Sequence, residues 1–197
     1  MVPANQALFR SLNVPAVQLL RRYRYEKLHS LLQELGMTSL SDDAGRYGLS
    51  LILGGAEGKL WDMTQMYLQM AHHLYYPNSA GIPTLGYLPG KENIKSNQYP
   101  LSRGSIWHTM SALEEVRRPN EEGSWRIFSS TRKIAWKTGT SYGHRDAWAI
   151  GVTPDYVVGV WTGNADGEGR AGLTGIETAA PILFDIFSGL DLSLIHI

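Results

Sequence analysis

The stretch Lys137-Thr138-Gly139-Thr140-Ser141 combines a cation, small hydroxyl side chains and a glycine. An ammonium group beside hydroxyl groups suits the binding of a carboxylate, because charge-assisted hydrogen bonds are short and strong. The glycine would let a ligand lie against the backbone N–H and C=O groups of the strand. An ordinary edge strand ending in a polar turn is the alternative interpretation, since a short motif does not define a site without its structural context.

A second candidate, Ser11-Leu12-Asn13, lies where two predicted helices meet. The apolar pattern predicts one helix over residues 4–12, and Pro15 occupies a favoured position to begin the next. Ser-x-Asn at such a break, together with Lys-Thr-Gly on a strand, matches two of the three elements of serine acyl-transferases that recognise penicillin. The third element is Ser-x-x-Lys at the start of a helix, where one turn sets the lysine beside the serine hydroxyl.

The sequence contains one Ser-x-x-Lys, at Ser130-Thr131-Arg132-Lys133. We expect this segment to be extended as it approaches the Lys137 strand, and residues three apart in a strand point to opposite faces. Lys133 would then be unable to take the proton of Ser130. We therefore interpret the motif as coincidental and assign no nucleophile in this chain.

The elements that must position these residues change from helical to extended along the chain. Helices are predicted over residues 25–35, 60–74, 103–116 and 177–190, a buried loop or short extended piece over 48–57, one short strand over 84–88, and three strands over 134–140, 147–153 and 156–162. Pro154-Asp155 suits a tight turn between the last two strands, which makes the three an antiparallel meander. Helices followed by a meander and a closing helix predict an α+β fold in which helices pack against an antiparallel sheet.

Composition excludes several classes of function. The 197 residues are 43% hydrophobic, which is enough for a core, and 18 basic residues balance 18 acidic ones, so nucleic-acid binding is not expected. There are no cysteines, and His72-His73 point in different directions on a helix, so neither a metal site nor a cofactor is predicted. No apolar run reaches the length of a membrane span, and the first residues lack the pattern of a signal peptide.

Several longer runs resemble the class A penicillin-binding proteins. They are Ser11-Leu12-Asn13-Val14-Pro15-Ala16-Val17-Gln18, residues 48–57, Ala135-Trp136-Lys137-Thr138-Gly139-Thr140-Ser141-Tyr142-Gly143, and residues 145–152 and 160–163. The resemblance covers residues 4–190 and is to the C-terminal part of the transpeptidase domain. It implies the fold shared by penicillin-binding transpeptidases and serine β-lactamases, incomplete here.

The resemblance also implies a D,D-transpeptidase mechanism acting on peptidoglycan stem peptides that end in D-Ala-D-Ala, which β-lactams imitate. Ser11 would relay a proton, Asn13 would hydrogen-bond the substrate amide, and Lys137 would keep the site electropositive. The substrate-binding residues would be Thr138, Gly139, Thr140 and Ser141: the two threonines would hold the terminal carboxylate, and the Thr140 N–H would supply half of an oxyanion hole.

The chain departs from the family pattern because Ser-x-x-Lys would lie upstream of Ser11. We therefore expect residues 1–190 to be a partial transpeptidase domain, residues 191–197 to be an unassigned tail, and the chain alone to be inactive, with exposed apolar surface and poor solubility. The membrane anchor and the glycosyltransferase domain of the family would belong to the full-length protein, on the periplasmic side of the bacterial inner membrane. A serine β-lactamase relative and a non-catalytic module that binds peptidoglycan or β-lactams are the alternatives.

Overall fold

The computed structural model describes residues 2–79, 81–86, 94–95, 99–116 and 133–193. The helices are α1 (Ala4–Phe9), α2 (Asn13–Tyr23), α3 (Tyr25–Glu34), α4 (Leu60–Tyr75), α5 (Arg103–Leu113) and α6 (Ala180–Ser193). The strands are β1 (Ile82–Pro83), β2 (Ile94–Lys95), β3 (Ala135–Thr140), β4 (Asp146–Val152) and β5 (Val157–Gly163). The predicted α+β class is confirmed, with helices packed against an antiparallel sheet.

The three-stranded sheet has the order β3-β4-β5 and is the predicted meander. Its antiparallel register is unbroken and sets Gly139 opposite Trp148, and Trp148 opposite Trp161. The turn between β4 and β5 is closed by a hydrogen bond of 2.8 Å from the N–H of Thr153 to the carbonyl of Tyr156. β4 is therefore the central strand, and β3 has no further strand beside it among the residues described.

One face of the sheet, which we call the α6 face, packs against the last helix. Trp136 is 1% exposed there, and strand alternation places Thr138 and Thr140 on the same side. The central strand contributes Gly151, where an added Cβ would lie 2.6 Å from the Phe187 ring. The absence of a side chain at this position thus allows α6 to lie directly on the sheet.

The opposite face, which we call the front face, is partly covered by α4 and α5. It carries Ala135, Lys137 and Gly139 of β3. Ala135 is buried in a cluster with residues of α4 and α5, and Gly159 of β5 approaches α4 so closely that an added Cβ would overlap the Thr64 hydroxyl. The front face is therefore packed near the start of β3, and its side chains become more exposed toward Gly139.

A second core joins α2, α3 and α4 to the segment between them. Its buried members are Leu20, Leu35, Met37, Leu40, Tyr47, Leu51 and Met66. In the first turn of α4 the Asp62 carboxylate accepts hydrogen bonds from the N–H and hydroxyl of Thr38, at 2.9 and 2.6 Å. Gly36, with a positive φ of 104°, follows the C-cap residue of α3, a position at which glycine commonly ends a helix. These contacts fix the helical layer as a unit.

Several helix boundaries differ from the prediction. Helix α1 ends at Phe9 because Ser11 adopts a positive φ of 54°, and α2 begins at Asn13, two residues before Pro15. Helix α5 ends at Leu113 rather than at residue 116. The closing helix begins as a π-helix over Gly175–Ala179 and continues to residue 193, so it includes the start of the tail that was set apart at 191–197; residues 194–197 lie outside the described ones.

Two local predictions were wrong. Residues 48–53 form a 3-10 helix rather than a buried loop or extended piece, and it ends at Gly54 with φ +88°. Three of its apolar side chains are exposed, namely Leu49, Ile52 and Leu53, while Leu51 is buried in the second core, so the run is buried only in part. The short strand expected at 84–88 is instead the pair of two-residue strands β1 and β2; residues 87 and 88 lie outside the described ones.

Candidate functional site

Lys137 lies on the front face of β3, at the outer side of the sheet. Its side chain is half-buried, and burial lowers the pKa of the ammonium group below the ordinary lysine value. Nζ donates a hydrogen bond of 2.9 Å to the carbonyl of Thr138. Because this is the only partner of the ammonium group among the described residues, the remaining two donors are available to a ligand.

The backbone of β3 presents hydrogen-bonding groups at its outer edge. The N–H of Ser141 donates to the carbonyl of Asp146 at 2.9 Å, which defines this pair as a hydrogen-bonded one. Hydrogen-bonded and non-hydrogen-bonded pairs alternate along antiparallel strands. The N–H and C=O groups of Thr138 and Thr140 therefore point away from β4, toward the side on which Lys137 Nζ binds the Thr138 carbonyl.

The threonine side chains lie on the α6 face, opposite to Lys137. Thr140 Oγ1 accepts a hydrogen bond of 3.0 Å from the N–H of Gly175, the first residue of the π-helix. An added Cβ on Gly175 would lie 2.9 Å from the Thr138 Cβ. What Thr140 offers to a ligand at the outer edge is thus its backbone N–H, while its hydroxyl already has a partner behind the strand.

Gly139 leaves open space on the front face. An added Cβ would meet only the Cβ of Trp148, at an ordinary contact distance of 3.6 Å. Packing within the described residues therefore does not require a glycine here. The predicted role of letting a ligand lie against the strand is compatible with this space.

The hairpin after β3 is held rigidly. Ser141 Oγ accepts a hydrogen bond of 2.8 Å from the N–H of Asp146, and the carbonyl of Ser141 accepts from the N–H of His144 at 3.2 Å. The carbonyl of His144 in turn accepts from the N–H of Arg170 at 3.0 Å. The Ser141 hydroxyl thus closes the turn and keeps its hydrogen and its second lone pair for a ligand. Tyr142 at the tip is 98% exposed.

Ser11 and Asn13 lie at the junction of α1 and α2, and both side chains are exposed. Serine and asparagine commonly cap helices, yet the cap position of α2 is Leu12 and no side chain caps its N-terminus. Ser11 has φ +54°, a conformation that costs a non-glycine residue about 1–2 kcal/mol. Ser11 is strained and exposed, and its hydroxyl makes no hydrogen bond within the described ranges, so it is a candidate for a functional role.

The two parts of the predicted site, Ser11 with Asn13 and the Lys137 strand, both lie near helix α5. Helix α1 contacts α5, and α5 contacts β3 on the front face. Within the described ranges, however, neither Ser11 nor Asn13 hydrogen-bonds to Lys137, whose Nζ binds Thr138 instead. The structure therefore groups Lys137, Thr138, Gly139, Thr140 and Ser141 along one strand and leaves the serine–asparagine pair separate from them in hydrogen bonding.

The second lysine before β3 has a different environment. Lys133 Nζ lies 3.7 Å from Glu114 Oε2, and its side chain is exposed. Ser130 lies outside the described residues, so its relation to Lys133 stays a prediction.

No group of three or more potential metal ligands occurs in the described part of the chain. None of the helices described there is long and apolar enough to cross a membrane.

Sequence reasoning left three residues of the front face out of the candidate site. All three lie on the front face: Trp148 is opposite Gly139 and Trp161 is opposite Trp148, while Asp146 is opposite Ser141. Trp161 Nε1 donates a hydrogen bond of 3.0 Å to Asp146 Oδ1, and its side chain is 38% exposed. The sequence already indicated which residues alternate along each strand. Assigning these three residues to the site also required the register, which shows which residues lie beside one another on neighbouring strands.

Comparison with known proteins agrees with the resemblance in the motifs. No protein-family model matches the chain. The chain is nevertheless similar in sequence to part of a class A penicillin-binding protein, and it shares its fold with part of a solved structure from that class.

Among the individual relatives, the chain is 37% identical over 183 residues to penicillin-binding protein 1C of Escherichia coli strain K12, covering 92% of this chain and 22% of that protein. It is 28% identical over 165 residues to penicillin-binding protein 4 of Bacillus subtilis strain 168, covering 82% of this chain and 26% of that protein. The crystal structure of penicillin-binding protein 1A from Haemophilus influenzae matches with a TM-score of 0.66 at 19% identity, covering 88% of this chain and 32% of that one. The chain thus spans about a quarter of the length of these curated relatives.

Proposed function

We propose that this chain supplies part of the substrate cleft of a peptidoglycan D,D-transpeptidase. The observation that supports this most strongly is the half-buried ammonium group of Lys137 at the outer edge of β3, beside the outward backbone of Thr138 and Thr140. A partly desolvated cation with free donors binds a carboxylate more strongly than a fully hydrated one. The terminal carboxylate of a D-Ala-D-Ala peptide is a ligand of this chemistry.

In the proposed reaction a serine hydroxyl attacks the carbonyl of the penultimate D-alanine and loses its proton to a base. The C–N bond to the terminal D-alanine then breaks, and that D-alanine leaves as an amine after taking up a proton. An amine of a neighbouring stem peptide next attacks the resulting ester, which forms the cross-link and returns the proton to the serine. We assign the nucleophile to none of the residues of this chain.

The residues of this chain would act around that serine. Lys137 binds the terminal carboxylate and, as a nearby positive charge, favours the deprotonated form of a relay hydroxyl. The backbone N–H of Thr140 donates to the oxyanion that forms at the attacked carbonyl. Ser11 would relay the proton to the leaving amine, and Asn13 would hydrogen-bond the substrate amide, once the rest of the cleft brings them to the substrate.

β-Lactams are proposed ligands of the same edge, because they present a carboxylate and an amide in a similar arrangement. We place the action of the full-length protein on the periplasmic side of the bacterial inner membrane. The relatives bear the names of penicillin-binding proteins, which favours a transpeptidase over a serine β-lactamase.

The test is equilibrium binding of Nα,Nε-diacetyl-Lys-D-Ala-D-Ala to the chain, followed by NMR. We expect saturable binding that Lys137→Ala weakens about tenfold or more, because a charge-assisted hydrogen bond is lost. The matched control is Lys133→Ala, which removes an exposed lysine just before β3 and leaves binding unchanged. Equal binding by the Lys137→Ala chain would contradict the proposal.

A non-catalytic binding module is the second candidate, and one observation favours it: Ser11 and Asn13 make no hydrogen bond to Lys137 within the described residues. Treatment with a fluorescent penicillin tests whether this chain contains a nucleophile of its own. We expect no covalent adduct on this chain alone. An adduct on Ser130 would show that the Ser-x-x-Lys interpreted as coincidental supplies the nucleophile.

A further inference from the structure

The last turn of α4 carries two adjacent histidines, His72 and His73, that face different neighbours. The His72 ring stacks on the Tyr76 ring, with 5.3 Å between the centroids and 27° between the planes. The His73 ring lies 5.2 Å from the ring of Tyr99, which precedes α5. Both imidazoles are partly buried. Two aromatic contacts that each include a titratable ring therefore hold the end of this helix.

The surroundings of the pair provide no acceptor for an added proton at His72. Its Nδ1 is buried without a hydrogen-bond partner among the described residues, and so is the hydroxyl of Tyr99, the ring that His73 contacts. An imidazole that takes up a second proton has two N–H donors. Protonation of His72 would therefore leave both a charge and an unpaired donor buried, which is costly.

The charges that act on the two rings also oppose protonation. Arg103 at the start of α5 donates from Nε to the carbonyl of His73 at 3.2 Å, and its positive charge disfavours a positive His73. A positive His73 in turn disfavours a positive His72. Among the described residues, neither Glu114, which acts on Tyr75, nor Asp155 in the β4–β5 turn is one of the charges that act on the two rings.

The strands packed against α4 supply no compensating charge. Strands β1 and β5 contain no titratable side chain, and the one in β4, Asp146, binds the Trp161 indole. On the side of the β4–β5 turn the contact is neutral, because the Tyr76 hydroxyl donates to the carbonyl of Pro154 at 3.4 Å. The end of α4 is therefore built for two neutral imidazoles.

The direction of the pH dependence follows from this environment. Burial, and then the charge of His73, lower the pKa of His72; burial, and then the charge of Arg103, lower the pKa of His73. Below the ordinary histidine value of 6.5 the unfolded chain therefore binds more protons than the folded one. The stability of this region falls as pH decreases from that value toward the lowered values.

We propose that the end of α4 is an acid-sensitive latch, in which protonation of His72 and His73 releases the last turn from Tyr99 and from the β4–β5 turn. The latch adjoins the buried cluster that contains Ala71, the residue before His72, and Ala135 at the start of β3. Tyr99 packs against the same cluster. Acid therefore loosens the packing beneath the strand that carries Lys137, without titrating a residue of that strand.

The first experiment follows the ring protons of all six histidines by NMR from pH 8 to pH 4 in the wild-type chain. We expect His72 and His73 to titrate below the ordinary histidine value. Amide hydrogen exchange then reports the release: the N–H of Tyr76 is bound to the carbonyl of His72 at 2.9 Å. Corrected for its intrinsic rate, its exchange should accelerate by up to about tenfold per pH unit for each proton taken up. The N–H of Met63, bound to Lys59 in the first turn of α4, is the reference and should accelerate less.

The second experiment removes the titrating rings. In the double variant His72→Gln with His73→Gln, the exchange of Tyr76 should lose its acid response, whereas the control His108→Gln, an exposed histidine on α5, should keep it. An equal acid response in the wild-type chain and the double variant would overturn the latch. So would titration of both wild-type rings at or above the ordinary value, and this result needs no variant to fold.

Discussion

The hydroxyl of Thr140 accepts a hydrogen bond from the backbone N–H of Gly175 at 3.0 Å. This contact joins the end of the Lys137 strand to the first residue of the π-helix that leads into α6. It lies on the α6 face, opposite to the ammonium group of Lys137. The threonine therefore stabilises the strand from behind while its backbone N–H stays at the outer edge.

Replacing Thr140 by valine should destabilise the chain by about 1–3 kcal/mol, because the N–H of the buried Gly175 loses its acceptor. Thr140→Ser keeps the hydroxyl and should retain most of the stability. Urea unfolding of the two variants measures the difference. Equal stability of the valine and serine variants would show that the hydrogen bond contributes nothing.

Gly175→Ala should also destabilise the chain, by about 1–3 kcal/mol, because the π-helix must move away from the sheet. An added Cβ would lie 2.6 Å from the carbonyl oxygens of both Gly139 and Trp148. Gly104→Ala in α5 is the matched control, since nothing lies within 4 Å of its added Cβ and alanine favours a helix. Denaturant midpoints that rank Gly175→Ala at or above the control would contradict the packing described.

Ser11→Gly should stabilise the chain by up to about 1 kcal/mol, because glycine adopts the observed φ of +54° without strain. Ser30→Gly is the control in the opposite direction, since it places a glycine inside α3 and should lower stability. Thermal unfolding of both variants checks the pair. If Ser11→Gly lowers the melting temperature as much as the control, Ser11 is not strained.

The pKa of Lys137 makes stability depend on pH in a defined direction. Burial lowers this pKa in the folded chain below 10.5, so between the two values the unfolded chain binds more protons than the folded one. The stability contributed at this position should therefore rise as pH increases through that window. Urea unfolding of the wild-type chain and Lys137→Met, compared at pH 7 and pH 10, isolates the effect from the titration of buried tyrosines. A stability difference that is constant with pH would contradict the burial.

Much of the fold was predictable because its elements carry strong periodic patterns. The alternation along β3, β4 and β5 and the spacing of leucines in α3 each identify an element without tertiary information. The 3-10 helix over Gly48–Leu53 was not predictable, since a short apolar run looks the same whether it is buried or exposed.

The candidate site was predictable only in part. The motifs located Lys137 and the outer strand, because the residue types themselves carry the chemistry. The packing of α6 determines which face of the sheet each side chain of the motif occupies. It also gives the Thr140 hydroxyl its partner, the N–H of Gly175. Assigning Asp146 and Trp161 to the site required the strand register, because the register places residues distant in sequence side by side.

The most direct test of the central claim measures the pKa of Lys137 with and without a carboxylate ligand, from the ¹³Cε chemical shift of the lysine. Without ligand we expect a pKa below the ordinary lysine value, because the ammonium group is partly desolvated. On saturation with Nα,Nε-diacetyl-Lys-D-Ala-D-Ala the pKa should rise, since the bound carboxylate stabilises the charged form, and the amide of the same peptide should leave it unchanged. A Lys137 pKa that does not respond to the acid would contradict the assignment of this strand as a carboxylate-binding edge.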